Sequence, residues 1–565
     1  MMGLKQIDLL GEWNPQLLRE LKGQLKPRNI FIAAAVSIIG QFLVYLNSKS
    51  DLPVSEGVFN RYCTGSPPPS YQSGYYHNNT YCVKDLNDNL MILDKLWWLD
   101  IFICLSILGI FALLVVGTYL LIADLSKEEN RGTLNFIRLS PQSAKDIFLG
   151  KIFGVPILLY IVGALALPFH LTAGLLASIP LSLILSFYGV LIASCAFFYS
   201  AALLFGLIGH KIGSFQGFVA SGSILWFLFV SSLWLFHSYS YAYEDMPATP
   251  FNFLLLFNPV ISLPYLVRST FLSNSAVGYL GLPSSSTWGW YGQNIWSNTI
   301  ATITFILLNF ALWTYWIHQS LKRCFHNPRA TLLSKSQSYW VTGSFIVIGL
   351  GFVLQTTNPQ AIFANYTILL GLLVAFSIIL MFAISPGRQA MQDWMRYRHL
   401  DKPKNLIYDL LFSEKSPSTV AFALNLAIVI VFLVPAILFS PLKEYKISTI
   451  VGLFITVNMI LIYGTIAQWI LLQKTQKRSL WVGGAIASLI TLPQLFLSIL
   501  RIFPDDLAWP WFFSAFPMLA VQHQMSLFPL LMSVLGQWTA LSLISFQMSR
   551  QLRKLGESST KALLS

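Results

Sequence analysis

The chain of 565 residues is 55% hydrophobic and only 10% charged, against about 25% charged in a typical soluble domain. With a mean hydropathy of +0.62, this excludes a water-soluble globular protein and makes the bilayer its main solvent. The 36 Lys and Arg against 23 Asp and Glu give a net charge of +13, yet the basic residues are dispersed between apolar runs, which argues for cytoplasmic loops and against a nucleic-acid partner.

Asp8, Glu12 and Glu20 precede the first apolar run, unlike the basic region and short hydrophobic stretch of a signal peptide, so the first span is expected to be retained. Within this cytoplasmic leader, residues 1–29, Asn14-Pro15 suits a helix start. Leu17, Leu18, Leu21 and Leu25 then share a face, with Arg19, Lys22 and Lys26 polar, as in an interfacial helix.

A hydrocarbon core of about 30 Å takes about 20 helical residues. Twelve stretches near that length follow. The first six are Ile30–Leu46, Trp97–Ile122, Ile152–Phe169, Ile179–Ile208, Phe218–Phe236 and Ile300–Ile317. The second six are Trp340–Leu354, Tyr366–Ile384, Val420–Phe439, Ile447–Leu472, Leu480–Leu500 and Leu527–Phe546. With both termini cytoplasmic, only Lys49, Arg61, Lys84, Lys95, Arg268, Lys443, Lys446 and Arg501 of the 36 basic residues fall outside, the asymmetry that orients a multi-pass protein. Cys63 and Cys82 bracket a polar loop on that outer side, where an oxidising compartment favours a disulfide over two free thiols. No cysteine lies in a zinc-ligand spacing, and no metal site is expected.

The order of features recurs, which predicts an all-α integral membrane protein of two six-helix halves, 30–317 and 340–546, with a cytoplasmic connector at 318–339 and a cytoplasmic tail at 547–565. HQSLKRCFHNPR, residues 318–329, is the shorter counterpart of the leader or ordinary flanking charge. After its second span each half has a long cytoplasmic loop with Ser-Pro near its end, Ser140-Pro141 and Ser416-Pro417, expected to start spans three and nine. Before its sixth span each half carries a proline-broken apolar segment, FNFLLLFNPVISLPYL and WPWFFSAFPMLAV, expected as re-entrant or interfacial hairpins.

The chain has no G-x-x-x-x-G-K-[ST] loop for nucleotide phosphates and no zinc-protease or serine-hydrolase motif, so it is not read as an enzyme. No apolar run has a charged residue near its centre, which counts against ion-coupled transport. Uncharged polar residues such as Asn309, Asn425, Gln468 and Gln537 suit interhelical hydrogen bonds or substrate contact.

In the first long loop, Ser126 and Glu129 have capping-box spacing and Gly132 interrupts the helix that would follow. Leu134, Phe136, Ile137 and Leu139 are then apolar residues with no membrane to enter. Here the sequence resembles the permease subunits of ATP-binding-cassette transporters of the type-2 exporter class. The likeness rests on Glu128-Glu129, Arg131-Gly132-Thr133-Leu134, Pro141-Gln142-Ser143 and Gly150-Lys151, together with the leader's Asn14-Pro15 and Arg19-Glu20-Leu21. The second loop, residues 388–417, holds the corresponding place without the Arg-Gly-Thr-Leu string.

The resemblance implies a coupling helix in each loop, docked on a separate P-loop ATPase subunit that carries the ATP and magnesium, with no cofactor on this chain. Partner-coupling residues would be Glu128, Glu129, Arg131, Gly132, Thr133, Leu134, Phe136 and Ile137 in the first loop, and Leu411, Phe412 and Glu414 in the second. It further implies an exporter in the plasma (inner) membrane, its partners being the ATPase and membrane lipids. An ion-coupled secondary transporter or a lipid scramblase are the alternatives, and the substrate is not encoded in any motif.

Overall fold

Backbone amides cannot stay unpaired in hydrocarbon, so long apolar runs must close their hydrogen bonds within helices. The computed structural model describes residues 11–65, 80–85, 87–209, 213, 215–240, 249–270, 288–397, 405–475, 477–521 and 527–556. Asp8 and the last nine residues of the expected tail lie outside the described residues.

In chain order the leader forms α1 (Pro15–Gln24) and the first apolar run α2 (Pro27–Ser50). A small antiparallel pair follows, β1 (Phe59–Asn60) with β2 (Thr80–Tyr81). Next come α3 (Asp94–Phe111) and α4 (Gly117–Asn130), continuous through a π-helical turn at Ala112–Val116. Two short helices, α5 (Thr133–Leu139) and α6 (Ala144–Gly154), lead to α7 (Ile157–Leu176), α8 (Leu181–Ile208) and α9 (Gln216–Ser240). After α10 (Asn252–Leu255) and α11 (Leu263–Arg268) comes α12 (Thr299–His326). The remainder holds α13 (Lys335–Val353), α14 (Pro359–Ile384), α15 (Arg388–Tyr397), α16 (Leu406–Phe412), α17 (Thr419–Phe439) and α18 (Tyr445–Leu471). It closes with α19 (Arg478–Ile499), α20 (Met518–Val521) and α21 (Leu527–Gly556).

Among the described residues eleven helices are long and apolar enough to cross a bilayer. The chain is thus an all-α, multi-pass membrane protein. The stretch expected as the seventh span is helical but absent from the eleven, because α13 opens on the polar Lys335-Ser336-Gln337-Ser338. Two compact units emerge, one built on the chain up to His326 and one on the chain from Asn327, the second also taking the short segments Pro247–Phe253 and Gly289–Gln293.

Several local expectations are corrected. Ser126 is no cap: α4 runs unbroken to Asn130, and Gly132, at φ 72°, makes the left-handed turn into α5. Ser140-Pro141 closes α5 instead of opening span three, and the cap of α6 is Ser143, whose hydroxyl accepts from the Asp146 amide. Span three itself begins later, because Pro156 has no amide to give the Ile152 carbonyl; the Tyr160 hydroxyl donates to that carbonyl at 2.8 Å instead. In the second loop, Ser416-Pro417 likewise precedes the start of α17, which follows Ser418. Residues 318–326 continue α12 rather than forming a counterpart of the leader.

Cys63 and Cys82 are joined in a disulfide. The adjoining Arg61 and Tyr62 both reach Asp100, at 2.9 and 2.8 Å, which fixes this loop to the start of α3. The two proline-broken segments fold as short 3-10 and α-helical pieces, with residues 259–267 of the first and Trp511, Phe512, Met518, Ala520 and Val521 of the second buried. Asn258 secures the first by donating to the Ser231 and Ser232 hydroxyls of α9 at 2.8 and 2.9 Å. Gln537 secures the second by donating to the Phe512 carbonyl at 2.9 Å.

Candidate functional site

Among the described residues, the most concentrated chemistry outside the apolar spans lies where α1, α4 and α6 meet. Asn14 caps α1 by accepting from the Leu17 amide at 2.9 Å, and its amide donates across to the Asp146 carbonyl of α6 at 2.7 Å. The two helices touch so closely that a Cβ on Gly150 would come within 2.8 Å of the Leu17 nitrogen, and one on Gly154 within 2.5 Å of the Glu20 Cβ. Gly150-Lys151-Ile152-Phe153-Gly154 is therefore a small-x-x-x-small face. Its occupant is the leader, which uses Asn14, Gln16, Leu17 and Glu20 and leaves Leu25 exposed. The expected all-leucine interfacial face is corrected accordingly: α1 packs on protein through a mixed surface.

That approach brings Glu20 to Asp124 and Glu128, which stand one turn apart on α4. Their carboxylate oxygens lie within 4.8 Å of one another, close enough in principle for one metal ion. Lys151 is already there: its ammonium is 2.6 Å from Asp124, 2.8 Å from Glu128 and 3.7 Å from Glu20, with the side chain 1% exposed. Arg19 pairs with Glu128 from the rim, and Gln16 donates to Glu20 at 2.6 Å. Burial alone would lower the Lys151 pKa, but Asp124, Glu128 and Glu20 override it and raise it. Burial raises that of Glu20, against the pull of Lys151. The result is an ionic knot tying leader, α4 and α6 into one frame.

Helix α4 meets this frame in a fixed register. At its π-turn the Tyr199 hydroxyl donates to the Leu113 carbonyl at 2.7 Å, and Gly117 leaves room for that ring. Beyond the knot, Thr133 donates to the Glu128 carbonyl at 3.1 Å and starts α5. Leu134 and Ile137 are buried among Leu121, Leu125, Phe148 and Phe325, so the expectation that they dock on a partner is corrected: they anchor the helix. Phe136 and Leu139, 81% and 85% exposed, point the other way. Of the remaining predicted residues, Glu128 is buried in the knot, Glu129 is half-buried, and Arg131, Gly132 and Thr133 are exposed along the turn.

The second loop is held differently. Lys335, buried at the first position of α13, donates to the Leu410 carbonyl at 2.7 Å, the Ser416 hydroxyl at 2.6 Å and the Pro417 carbonyl at 3.0 Å. Tyr339 donates to the Leu411 carbonyl at 2.7 Å. Leu411 is half-buried, while Phe412 and Glu414 are exposed. Leu406, Ile407 and Tyr408, absent from the sequence expectation, are exposed beside Phe412. Burial pushes the Lys335 pKa down to about 7, with Asp409 acting in the opposite direction.

The unfolded chain keeps that proton up to the ordinary value of 10.5. Folding thus releases it between those values, and stability rises with pH there by up to about 1.4 kcal/mol per pH unit. The melting temperature should climb between pH 7 and pH 9 and Lys335→Met should flatten the climb; an equal climb in the variant would remove Lys335 as its source.

Polar residues inside the apolar helices are largely spent on helix contacts. Asn425 accepts from Thr342 at 2.8 Å and donates to Ser338 at 3.0 Å, while Gln468 accepts from Ser385 at 3.3 Å and from Ser418. One titratable group escaped the sequence reading. His170, just past the expected end of span three, is buried within α7, its ring nitrogens 2.8 Å from the Ser106 and Tyr188 hydroxyls. Ser106 also donates to the Phe102 carbonyl at 2.8 Å.

No family model, curated protein or solved structure matches this chain.

Proposed function

We propose that the chain is the membrane-spanning permease subunit of an ATP-driven transporter of the exporter type, coupled to separate P-loop ATPase subunits that carry ATP and magnesium. The observation that carries this reading is α5: two buried anchors and a buried ionic knot hold a short helix outside the apolar spans, and its free face presents Phe136 and Leu139. A small apolar tip with a polar rim is what a protein groove accepts. Helix α16 offers Ile407, Tyr408 and Phe412 from the second loop in the same way. In this reading α13 is a further crossing, so twelve spans form two six-helix halves. The matching proline-broken segments before the last span of each half support that duplication. The positive-inside count supports cytoplasmic termini, and the resemblance points to a plasma (inner) membrane.

A rival reading, ion-coupled secondary transport, draws support from His170, a titratable side chain within a span. Affinity purification of the full chain from its native membrane separates the two. The permease reading expects a stoichiometric P-loop ATPase and transport that stops on ATP depletion. Transport that survives ATP depletion and collapses with the ion gradient would overturn it in favour of the rival.

A further inference from the structure

Helix α15 follows the span α14 after three residues and packs at one end of the second unit. Met391 of α15, Leu472 after α18, and Met548 and Leu552 of α21 form one buried cluster against Trp469. These contacts bring α15, the turn between α18 and α19, and the last turns of α21 to the same place, where four of the apolar helices end or begin. The turn carries Lys474, Lys477 and Arg478, and the end of α21 carries Arg550, Arg553 and Lys554. Asp393 is the one acid in residues 388–397, 472–478 and 547–554.

Along α15, Arg388, Gln392 and Arg396 recur every four residues on one flank, with Ala390 and Trp394 opposite and the buried Met391 between. Both arginines are partly buried, their Nε atoms wholly so, and neither Nε has a hydrogen-bond partner. The indole nitrogen of Trp469 is likewise buried without an acceptor. Buried donors left unmade are costly, and Asp393 forms no ion pair with either arginine. A guanidinium fork matches the oxygens of a phosphate, and the two arginines stand about 12 Å apart along the helix axis at 1.5 Å per residue. Exposed Leu480 and Trp481 continue from the basic turn toward the apolar span, as at a lipid interface.

The geometry points to a seat for anionic phospholipid headgroups along α15, with Arg388 and Arg396 each taking a phosphate and the turn and α21 supplying the surrounding positive field. The acyl chains lie against α19 and α21, whose outer faces are apolar and exposed. This assignment requires only that the chain spans a membrane and does not depend on what it transports.

Native mass spectrometry of the full chain, titrated in detergent with phosphatidylglycerol or phosphatidylcholine, tests it. Wild type should retain phosphatidylglycerol at a lipid concentration lower by about twenty-five-fold or more, about fivefold for each of the two arginines. Arg388→Gln combined with Arg396→Gln should cut that preference by about twenty-five-fold, while Lys49→Gln on α2 leaves it intact. Should the double variant aggregate, Arg396→Gln alone should lose about fivefold. Equal retention of the two lipids by wild type would overturn the proposal. So would an undiminished preference in a well-behaved double variant, or displacement of the lipid by millimolar inorganic phosphate, which would mark a plain anion site.

Discussion

Replacing Lys151 by methionine should loosen the whole frame beneath α5. The substitution preserves the side chain's bulk and removes its charge, leaving Glu20, Asp124 and Glu128 gathered within 4.8 Å around no cation other than the rim-bound Arg19. Breaking a buried pair by deleting one partner costs about 3–5 kcal/mol. The cost should appear as a lower melting temperature and as protease cleavage at the leader, whose Glu20 is one of the three carboxylates around Lys151. Its pH dependence is diagnostic. In the variant Glu20, which burial already holds above its ordinary value, loses the opposing pull of Lys151, so its folded pKa rises further above the unfolded one. The folded state then holds protons that the unfolded state has released, and stability falls as pH rises through that window. The deficit should therefore shrink as pH is lowered from 8 toward 5. Wild-type Lys151, raised from 10.5, stays charged in both states over that range and adds no slope. Adding Glu128→Gln to Lys151→Met should recover part of the loss. An unchanged melting temperature and cleavage pattern in Lys151→Met would show that the knot does not hold the leader.

The parts of this structure legible in the sequence are those fixed by local chemistry. Long uncharged runs had to be helices, Asn14-Pro15 had to start one, and Gly132 marked the only turn that α4 could take into α5. The site was harder, because its logic is long-range. Lys151 entered the sequence reading only in the Gly150-Lys151 step of the resemblance, and nothing local named α1 as its neighbour. Leu134 and Phe136 look equivalent in a linear reading. What separates them is the phase of α5, set by the Gly132 turn and by the burial of Leu134 and Ile137 against side chains such as Phe325 on the distant α12. His170 was missed for a related reason: Pro156 restarts the third span, moving its interior toward the C-terminus and carrying the imidazole inside.

That phase sets the sharpest test of the proposed coupling role. Phe136→Asp places a charge on an 81% exposed position of α5, so expression, gel-filtration behaviour and melting temperature should stay at wild-type values. If Phe136 seats in a groove on an ATPase subunit, the same change buries an unpaired carboxylate at the contact and costs several kcal/mol. At about 1.4 kcal/mol per tenfold, partner retention and substrate-stimulated ATPase activity should fall by about two orders of magnitude or more. Leu139→Asp, on the same exposed face, should act in the same direction. Leu134→Asp makes the opposite comparison: it puts the charge into the hydrophobic cluster and should destabilise the protein itself, with any loss of coupling secondary to lower expression. Phe412→Asp on α16 asks whether the second loop docks as well, and its effect should be smaller because that contact is one of several exposed apolar side chains there. Normal partner retention and coupling in well-folded Phe136→Asp would remove α5 as the docking element, and with it the observation on which the permease reading rests.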